Sequence, residues 1–389
     1  MSNLRKRFSR RDFLRIAGGT AISLPVLTAC AKATEEATPA PETGGGETGL
    51  VEGQRGGMWL PPQEPEIKEI VTSVSNPNFF TVAPWHMMDD YGYAAEEGFE
   101  KYEFLVSDEA LLGVVGKDIT FALGEPDEVA LSILEGVPVI GIACHRDKEW
   151  HMMGLSASIK KPEDLKGGKA IMGAPGTRVY AQRAAEIFNW SKGVVDPEKD
   201  LEPIVISGGS DAYNQAIVSD QVQIGMQYNR HMKSLLDAGC TFFIAGIFDY
   251  PQEVIICHQD TINESPRAVV NFLRAWLKSL GTWQDITMKD DIKAVMKEKH
   301  DLELSEEFDN SWVTQVEHMA TAAMFRSVSM RLFLDDLAKY DIIPADSVYE
   351  DYNDMSFLRQ AQSELIGMQW PPQNAMDVFT IYGLKPGDY

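Results

Sequence analysis

Two glycine-containing turns in the second half of the chain carry residue types that bind small polar groups. Gly176, Thr177 and Arg178 open one predicted helix. Ser207 and Gly208 occupy a second predicted turn from strand to helix. The first N–H groups of a helix have no partner within the helix and carry partial positive charge. We therefore expect a carboxylate, sulfonate, phosphate or carbonyl oxygen to bind at these turns, with a plain helix cap as the alternative.

Aromatic residues at the ends of predicted strands could hold a flat ligand. Phe79, Phe80 and Trp85 follow the first predicted strand, and Tyr228 and Tyr250 follow strands of the second half. Two rings that face each other across a cleft would clamp a flat heterocycle, and stacking contributes ~0.5–1.5 kcal/mol beyond area burial. Trp85 and Tyr228 are the favoured pair. Ordinary packing is the alternative for each ring.

Carboxylates also stand at predicted strand ends. Gly124 and Glu125 follow one strand, and Asp249 follows another. Either acid could pair with a cationic ligand, and the alternative is a cap or turn role. Few cationic side chains accompany these residues, so a neutral or singly charged aromatic ligand is favoured over a multiply charged anion.

The chain contains no motif of a known catalytic site. Gly-x-Ser-x-Gly, Walker and Rossmann glycine patterns do not occur. His145 and His151 are not at a usual metal-binding spacing. We therefore expect a protein that binds its ligand without transforming it and that needs no cofactor or metal.

The elements that position these residues alternate between strand and helix, which indicates βαβ units and mainly parallel sheets. A first set is followed by an extended apolar segment, a second set, another extended segment, a long amphipathic helix and a helical tail. The first set runs from a strand at 67–74 to a strand at 137–143, and the second set from 169–172 to 241–245. The two extended segments are 150–159 and 253–258, the long helix is 266–285, and the helical tail is 290–365. Within the first set, the first helix is predicted over 84–98 and opens at Pro84.

This order predicts an α/β fold with two doubly wound lobes, the second inserted into the first. Residues 65–151 and 252–389 form lobe 1 with a helical C-terminal part, and residues 152–251 form lobe 2. Two hinge strands near residues 150 and 252 join them. A ligand is expected in the cleft, at the carboxyl ends of parallel strands.

The N-terminus reads as an export signal followed by an anchor. Residues 1–29 are basic and then weakly apolar, and Ser9 to Arg15 resembles a twin-arginine signal. The segment ending at Cys30 resembles the bacterial lipoprotein box, in which the cysteine is lipidated. Chance matches are the alternatives. Residues 30–64 are predicted to form a flexible tether, rich in Thr, Glu, Pro and Gly.

Composition excludes two classes of protein. The 389 residues carry 58 acidic and 35 basic side chains, a net charge of −23, which argues against nucleic-acid binding. Hydrophobic residues make up 44% of the chain, which excludes disorder for most of it. The four cysteines form no CxxC motif, so neither a disulfide framework nor a zinc ribbon is indicated.

Several motifs together resemble one family of substrate-binding proteins of ABC importers, which binds aliphatic sulfonates, nitrate, taurine or thiamine pyrimidines. They are Asn76-Pro77-Asn78, Glu135 to Val139, Lys161 to Gly167 leading into Gly173 to Thr177, and Glu264-Ser265-Pro266. The resemblance implies a periplasmic-binding-protein-like fold, a small-molecule ligand, an ABC importer permease as partner, a monomer and an extracytoplasmic location at the membrane.

The sequence therefore predicts a solute-binding lipoprotein that delivers a small organic ligand to an importer. A flat vitamin precursor, such as a thiamine pyrimidine or a flavin, is favoured. A sulfonate, taurine or nitrate-like anion is the second reading. A pyrimidine-synthase-like enzyme and a surface scaffolding lipoprotein are the alternatives from other classes.

Overall fold

The structure is a computed structural model of the 389-residue chain. It describes residues 51–52, 57–75, 77–147, 149–173, 178–206, 209–228, 231–248, 251–306, 309, 312, 316, 319–339 and 342–368. Every described residue belongs to one compact unit, residues 48–389. The predicted signal peptide and Cys30 lie outside the described residues.

The described strands alternate with helices over most of the chain. The strands are β1 (Val51–Glu52), β2 (Met58–Trp59), β3 (Glu69–Val74), β4 (Lys101–Val106), β5 (Phe121–Gly124), β6 (Val139–Arg146), β7 (Glu149–Leu155), β8 (Gly168–Ile171), β9 (Leu201–Ile204), β10 (Ile224–Gln227), β11 (Thr241–Phe248) and β12 (Glu253–His258).

The described helices flank these strands. They are α1 (Phe79–Asp90), α2 (Tyr93–Glu96), α3 (Ala110–Gly116), α4 (Pro126–Leu134), α5 (Arg178–Trp190), α6 (Pro197–Asp200), α7 (Gly209–Val218), α8 (Met232–Asp237), α9 (Gln259–Glu264), α10 (Pro266–Trp283), α11 (Lys289–His300), α12 (Ser327–Lys339) and α13 (Ser356–Glu364). Short 3₁₀ turns lie at Pro162–Leu165, Ile286–Met288, Thr321–Ala323 and Tyr349–Asp351.

Two five-stranded mixed sheets organise the molecule. The first has the spatial order β4-β3-β5-β12-β6, and the second has the order β11-β7-β10-β8-β9. Helices flank both sheets, and their apolar faces form a large core in the first lobe and two smaller cores in the second. The predicted α/β fold with two lobes is confirmed.

The long helix α10 holds the core of lobe 1 together. Pro266 stands at its first position, where a missing N–H costs no hydrogen bond. Phe272, Trp276 and Leu280 recur at helical spacing and are fully buried. Burying side chains of this size stabilises the fold by about 1.5–3 kcal/mol each.

The first helix begins earlier than the sequence predicts. Helix α1 starts at Phe79, because the side chain of Asn78 accepts a hydrogen bond from the Phe80 N–H and caps the helix. Pro84 lies inside the helix rather than at its start. Gly92, with a φ of 75°, then separates α1 from the short α2. The prediction of one helix over 84–98 is therefore wrong.

The two extended apolar segments prove to be strands within the sheets. Strand β7 belongs to the second sheet, and β12 lies between β5 and β6 in the first. Both strands are inner ones, and a strand buried on both faces reads as a continuous apolar run. The chain passes from β6 to β7 through residues 147–148 and from β11 to β12 through residues 249–252. These two passages are called the first and second crossing.

Candidate ligand-binding cleft

The carboxyl ends of several lobe 1 strands lie at one edge of the first sheet. Strands β3, β4 and β5 are parallel, and β6 runs with them because β12 is antiparallel to both β5 and β6. Val74, Val106, Gly124 and Arg146 therefore end at the edge from which the first crossing departs. The second crossing returns to the same edge at Glu253.

The second sheet presents its carboxyl ends to the same crossings. Strand β7 enters it from the first crossing and pairs antiparallel with β10, so that Gln227 lies opposite Met152. Strands β8 and β9 run parallel to β10. Ile171, Ile204 and Gln227 thus end at the edge nearest lobe 1. We take the space between these two edges as the candidate cleft, because open α/β sheets bind ligands at the carboxyl ends of their strands.

Many of the predicted site residues lie outside the described residues. These are Gly176, Thr177, Ser207, Gly208, Asp249 and Tyr250, and only the backbone of Arg178 is described, at the start of α5. The prediction that they contact a ligand stays a prediction.

Tyr228 lies at the predicted position on the lobe 2 edge. It directly follows β10, and its side chain is half-buried. Its ring centroid is 6.5 Å from that of His231, which the sequence did not single out. The His231 Nε2 atom lies 2.9 Å from the Oδ1 atom of Asp211 on α7. This contact joins the start of α8 to α7 beside Tyr228.

Phe79 and Phe80 belong to an aromatic cluster in lobe 1. Both rings are buried in the first turn of α1, 7% and 1% exposed. Trp283 and Trp312 complete the cluster, with their ring centroids 4.7 Å apart. Phe80 lies 5.7 Å from Trp283 and 5.6 Å from Trp312. No sequence pattern pointed to either tryptophan, because they are distant along the chain from the strand that leads into α1.

The structure corrects the expectation for Trp85. Its side chain is fully buried, 4.9 Å from the ring of Trp276 and 6.2 Å from that of Phe104. The expectation assumed that Trp85 stands at a strand end, but it lies in the second turn of α1, on the face that packs against α10. Trp85 is a core residue here, and an aromatic clamp with Tyr228 is not formed.

Gly124 and Glu125 lie at the lobe 1 edge, as the sequence predicts. A Cβ atom on Gly124 would come within 2.7 Å of the Cγ2 atom of Val129, so glycine permits α4 to pack closely on β5. Glu125 is exposed and stands at the N-cap position of α4. Close packing accounts for Gly124, whereas Glu125 occupies the N-cap position without a side-chain capping bond to the helix. That either residue contacts a ligand stays a prediction.

A buried charge cluster occupies the lobe 1 edge where the crossings meet. The Nδ1 atom of His145 is 2.5 Å from the Oε2 atom of Glu253, and the Nε atom of Arg146 is 3.2 Å from the same oxygen. A terminal guanidinium nitrogen of Arg146 also donates to the hydroxyl of Thr81 on α1, at 3.1 Å. The cluster therefore connects β6, β12 and α1.

The charges of this cluster follow from burial and proximity. Burial would raise the pKa of Glu253, but Arg146 and His145 together lower it to about 2. Burial lowers the pKa of His145 and outweighs the attraction of Glu253. The arrangement thus fits a neutral His145 that donates its Nδ1–H to an ionised Glu253, with Arg146 supplying the positive charge.

Neither a metal cluster nor a membrane-spanning helix is found in the part of the chain that the structure describes. No group of three or more His, Cys, Asp or Glu side chains there could hold a metal ion. None of the helices described is long and apolar enough to cross a bilayer.

Comparison with known protein families gives one match. Residues 107–285 match the family model described as NMT1/THI5 like. The match begins just after β4 and ends just after α10, so it includes the end of β6, both crossings and all of the second sheet. Among curated proteins, no sequence matches the chain significantly.

Solved structures with the same fold are distant in sequence. A putative periplasmic sulfonate-binding protein, SsuA from Methylobacillus flagellatus KT, has 14% identity and a TM-score of 0.56 over 81% of this chain and 99% of its own. The periplasmic nitrate-binding protein NrtA from Synechocystis PCC 6803 has 13% identity and a TM-score of 0.55 over 79% and 94%.

A third structure, the ligand-binding component of an ABC-type import system from Staphylococcus aureus, has 10% identity and a TM-score of 0.54 over 76% of this chain and 99% of its own. These likenesses support the fold predicted from the sequence. Residues 107–285 therefore resemble the NMT1/THI5-like family, and the chain as a whole has the two-lobed fold of the periplasmic binding proteins.

Proposed function

We propose that this protein is an extracytoplasmic solute-binding protein that delivers a small organic molecule to an ABC importer. The observation that carries the proposal is the placement of the carboxyl ends of both sheets at the same two crossings. A ligand held between such edges contacts both lobes, so its binding free energy favours their closure. The NMT1/THI5-like match and the importer-related structural neighbours support the same function.

The ligand is a neutral or singly charged organic compound with a flat aromatic part. At the lobe 1 edge, Arg146 is held by Glu253 and Thr81, so it is not poised to pair with an anion. Along the same edge, after β4 on the far side of the sheet from β6, Asp108 and Glu109 at the start of α3 are exposed carboxylates. They would repel a multiply charged anion.

Apolar and aromatic surface at the strand ends supports the same ligand class. Val106 is the last residue of β4 and is 49% exposed, and Val205 directly follows β9 and is 75% exposed. Tyr228 offers a half-buried ring on the lobe 2 edge. With Trp85 in the core, the proposed stacking partner is reduced to this single ring, and the polar end of the ligand is assigned to the helix start at Gly176 and Thr177.

The proposal includes the membrane anchor inferred from the sequence. Cys30 would carry the lipid, and residues 30–50 would link it to β1, the first described element; the predicted tether over 30–64 is thus shortened, because β1 pairs with β2 and Trp59 packs in the lobe 1 core. A flexible segment of this length has a root-mean-square reach of roughly 25 Å. This span would keep the ligand-binding lobes close to a permease in the same membrane.

A thermal-shift screen of the purified protein tests the function. The probes are a thiamine pyrimidine, riboflavin, taurine, an aliphatic sulfonate and nitrate. A ligand that binds only the native state adds about 2.7 kcal/mol at a hundredfold excess over Kd, which raises the melting temperature by several degrees. Mass spectrometry should recover the bound compound unchanged. Its conversion to a product would favour an enzyme instead.

Calorimetry on variants then separates the ligand classes. Tyr228→Ala should weaken binding of an aromatic ligand by about 1–3 kcal/mol, roughly five- to a hundredfold, through lost area and stacking. Tyr91→Ala is the matched control, because Tyr91 is also half-buried and follows the end of α1, the helix that runs back from the carboxyl end of β3. If Tyr228→Ala binds normally and Arg178→Ala abolishes binding, the ligand is a small anion of the sulfonate or nitrate type.

A further inference from the structure

The C-terminal part of the chain lies against the end of β6, where the first crossing begins. Met319 forms an antiparallel bridge with Arg146. The N–H group of Ala320 donates to the carbonyl oxygen of His145 at 2.9 Å. Residues 319–326 therefore lie along the side of β6 that pairs with no other described strand of the sheet, at its carboxyl end. We call these residues the C-terminal brace.

One side chain of the brace, that of Arg326, makes two hydrogen bonds to the first residue of the first crossing. The guanidinium of Arg326 donates from Nε to the Oδ2 atom of Asp147 and from Nη2 to the carbonyl oxygen of Asp147, the latter at 3.0 Å. Asp147 is only 2% exposed. Because both donors belong to one rigid planar group, the carboxylate and the backbone of Asp147 are fixed together.

The second crossing is tied to the same point. The Gln252 N–H donates to the carbonyl oxygen of Arg146 at 2.8 Å. Glu253 follows directly and contacts both His145 and Arg146 through Oε2. The lobe 1 ends of the two crossings are thus joined to each other and, through Arg326, to a segment more than 170 residues further along the chain.

We propose that the C-terminal brace restrains the movement of the two lobes, and that Arg326 is the positioning residue that does so. Hinged proteins close by large φ and ψ changes at a few residues between rigid bodies. Holding Asp147 by two charge-assisted bonds removes one such residue from the hinge. This inference rests on the proposed function, since closure of the lobes is the motion that would capture a ligand.

Distance measurements between spin labels test the brace without any ligand. Labels go on Glu135→Cys in lobe 1 and Asn189→Cys in lobe 2, two exposed positions at the C-terminal ends of α4 and α5, in a chain with Cys30→Ala. The described native cysteines, Cys144, Cys240 and Cys257, are buried. Pulsed electron resonance then gives the distribution of inter-lobe distances for the labelled protein and for brace variants made in it.

Arg326→Gln should broaden this distribution at least twofold relative to the labelled parent. Arg331→Gln is the matched control, since Arg331 is exposed on α12. Arg326→Lys should give an intermediate width, because lysine keeps the charge but loses the two-pronged geometry. A purely structural role would lower the melting temperature of Arg326→Gln without widening the distribution, and that result would overturn the proposal.

If Arg326→Gln does not fold, Arg326→Lys and Asp147→Asn provide the test. Inter-lobe distance distributions as narrow as that of the labelled parent in both variants would overturn the proposal. The outcome is separable from that of the ligand screen. A failed screen with a broadened distribution would refute the proposed function and leave the brace standing. A bound ligand in the screen, together with an unchanged width of the distance distribution in the brace variants, would support the proposed function and refute the brace.

Discussion

The Nδ1 atom of His145 lies 2.5 Å from the Oε2 atom of Glu253. This contact joins the end of β6, just before the first crossing, to the first residue of β12, just after the second crossing. Both side chains are buried, and Arg146 provides the neighbouring positive charge. The structure thus places a cluster of buried charges at the lobe 1 ends of the two crossings.

Glu253→Gln should destabilise the protein strongly. The substitution leaves the buried guanidinium of Arg146 without its carboxylate, and breaking a buried ion pair in this way costs about 3–5 kcal/mol. Urea unfolding measures the change. Glu103→Gln is the matched control, because Glu103 forms an exposed pair with Lys101 and should leave the midpoint close to that of the wild type. Equal midpoints for both variants would contradict a net role for Glu253.

Stability should fall on acidification, in part because of His145. Burial lowers the pKa of this ring, so the native state holds it neutral, while the unfolded chain takes up a proton near pH 6.5. The contribution of His145 is therefore complete above pH 6.5 and is lost as the pH falls below it, by up to about 1.4 kcal/mol per pH unit. Glu253, with a pKa of about 2, stays ionised throughout this range.

The measurement is the free energy of unfolding at pH 7.5 and at pH 5.5. Wild type should lose more stability between the two than His145→Gln, whose side chain does not titrate. An identical loss in both proteins would assign the acid sensitivity to other groups.

Trp85→Ala should lower the free energy of unfolding, because Trp85 is a core residue. Removing a fully buried indole leaves a cavity beside Trp276 and Phe104, and such changes cost about 3–5 kcal/mol. Tyr228→Ala removes a half-buried ring at an edge and should unfold near the wild-type midpoint. A Trp85→Ala protein with wild-type stability would contradict its core placement.

Gly124→Ala should destabilise the protein in the absence of any ligand. The added methyl group would lie 2.7 Å from Val129 Cγ2, and overpacking of this kind costs about 1–3 kcal/mol. Gly116→Ala is the control, since its Cβ would meet no atom closer than 3.4 Å. Thermal melting distinguishes the two. An unchanged midpoint for Gly124→Ala would leave a direct ligand contact as the reason for glycine.

Cys30→Ala should release the protein from the membrane fraction. A lipid on Cys30 would be the only attachment proposed for the chain, and durable anchoring requires acyl chains. Cell fractionation followed by detection of the protein measures the release, and Cys240→Ala, a buried cysteine of lobe 2, is the control. A wild-type protein already found free outside the cell would refute the anchor. Replacing Arg10 and Arg11 with lysine should block export, and normal export would refute the twin-arginine route.

The sequence by itself determined the α/β class, the two-lobed order of elements and the family resemblance. These rest on local signals: apolar runs that end at glycines and prolines, and motifs a few residues long. The periodicity of α10 is one example, because Phe272, Trp276 and Leu280 recur on one face wherever the helix lies. Tyr228 was likewise placed correctly, since it directly follows a clear strand.

Only the tertiary structure decided which of these residues lie in the core and which stay accessible at the strand ends. Trp85 was misjudged because Asn78, six positions before Pro84, caps the helix, so that Trp85 lies within α1 and packs against Trp276 of α10. The cluster of His145, Arg146 and Glu253 and the grip of Arg326 on Asp147 join residues 108 and 179 positions apart. No local pattern encodes such contacts, because they form only when the sheet brings distant strands and the C-terminal brace to one edge.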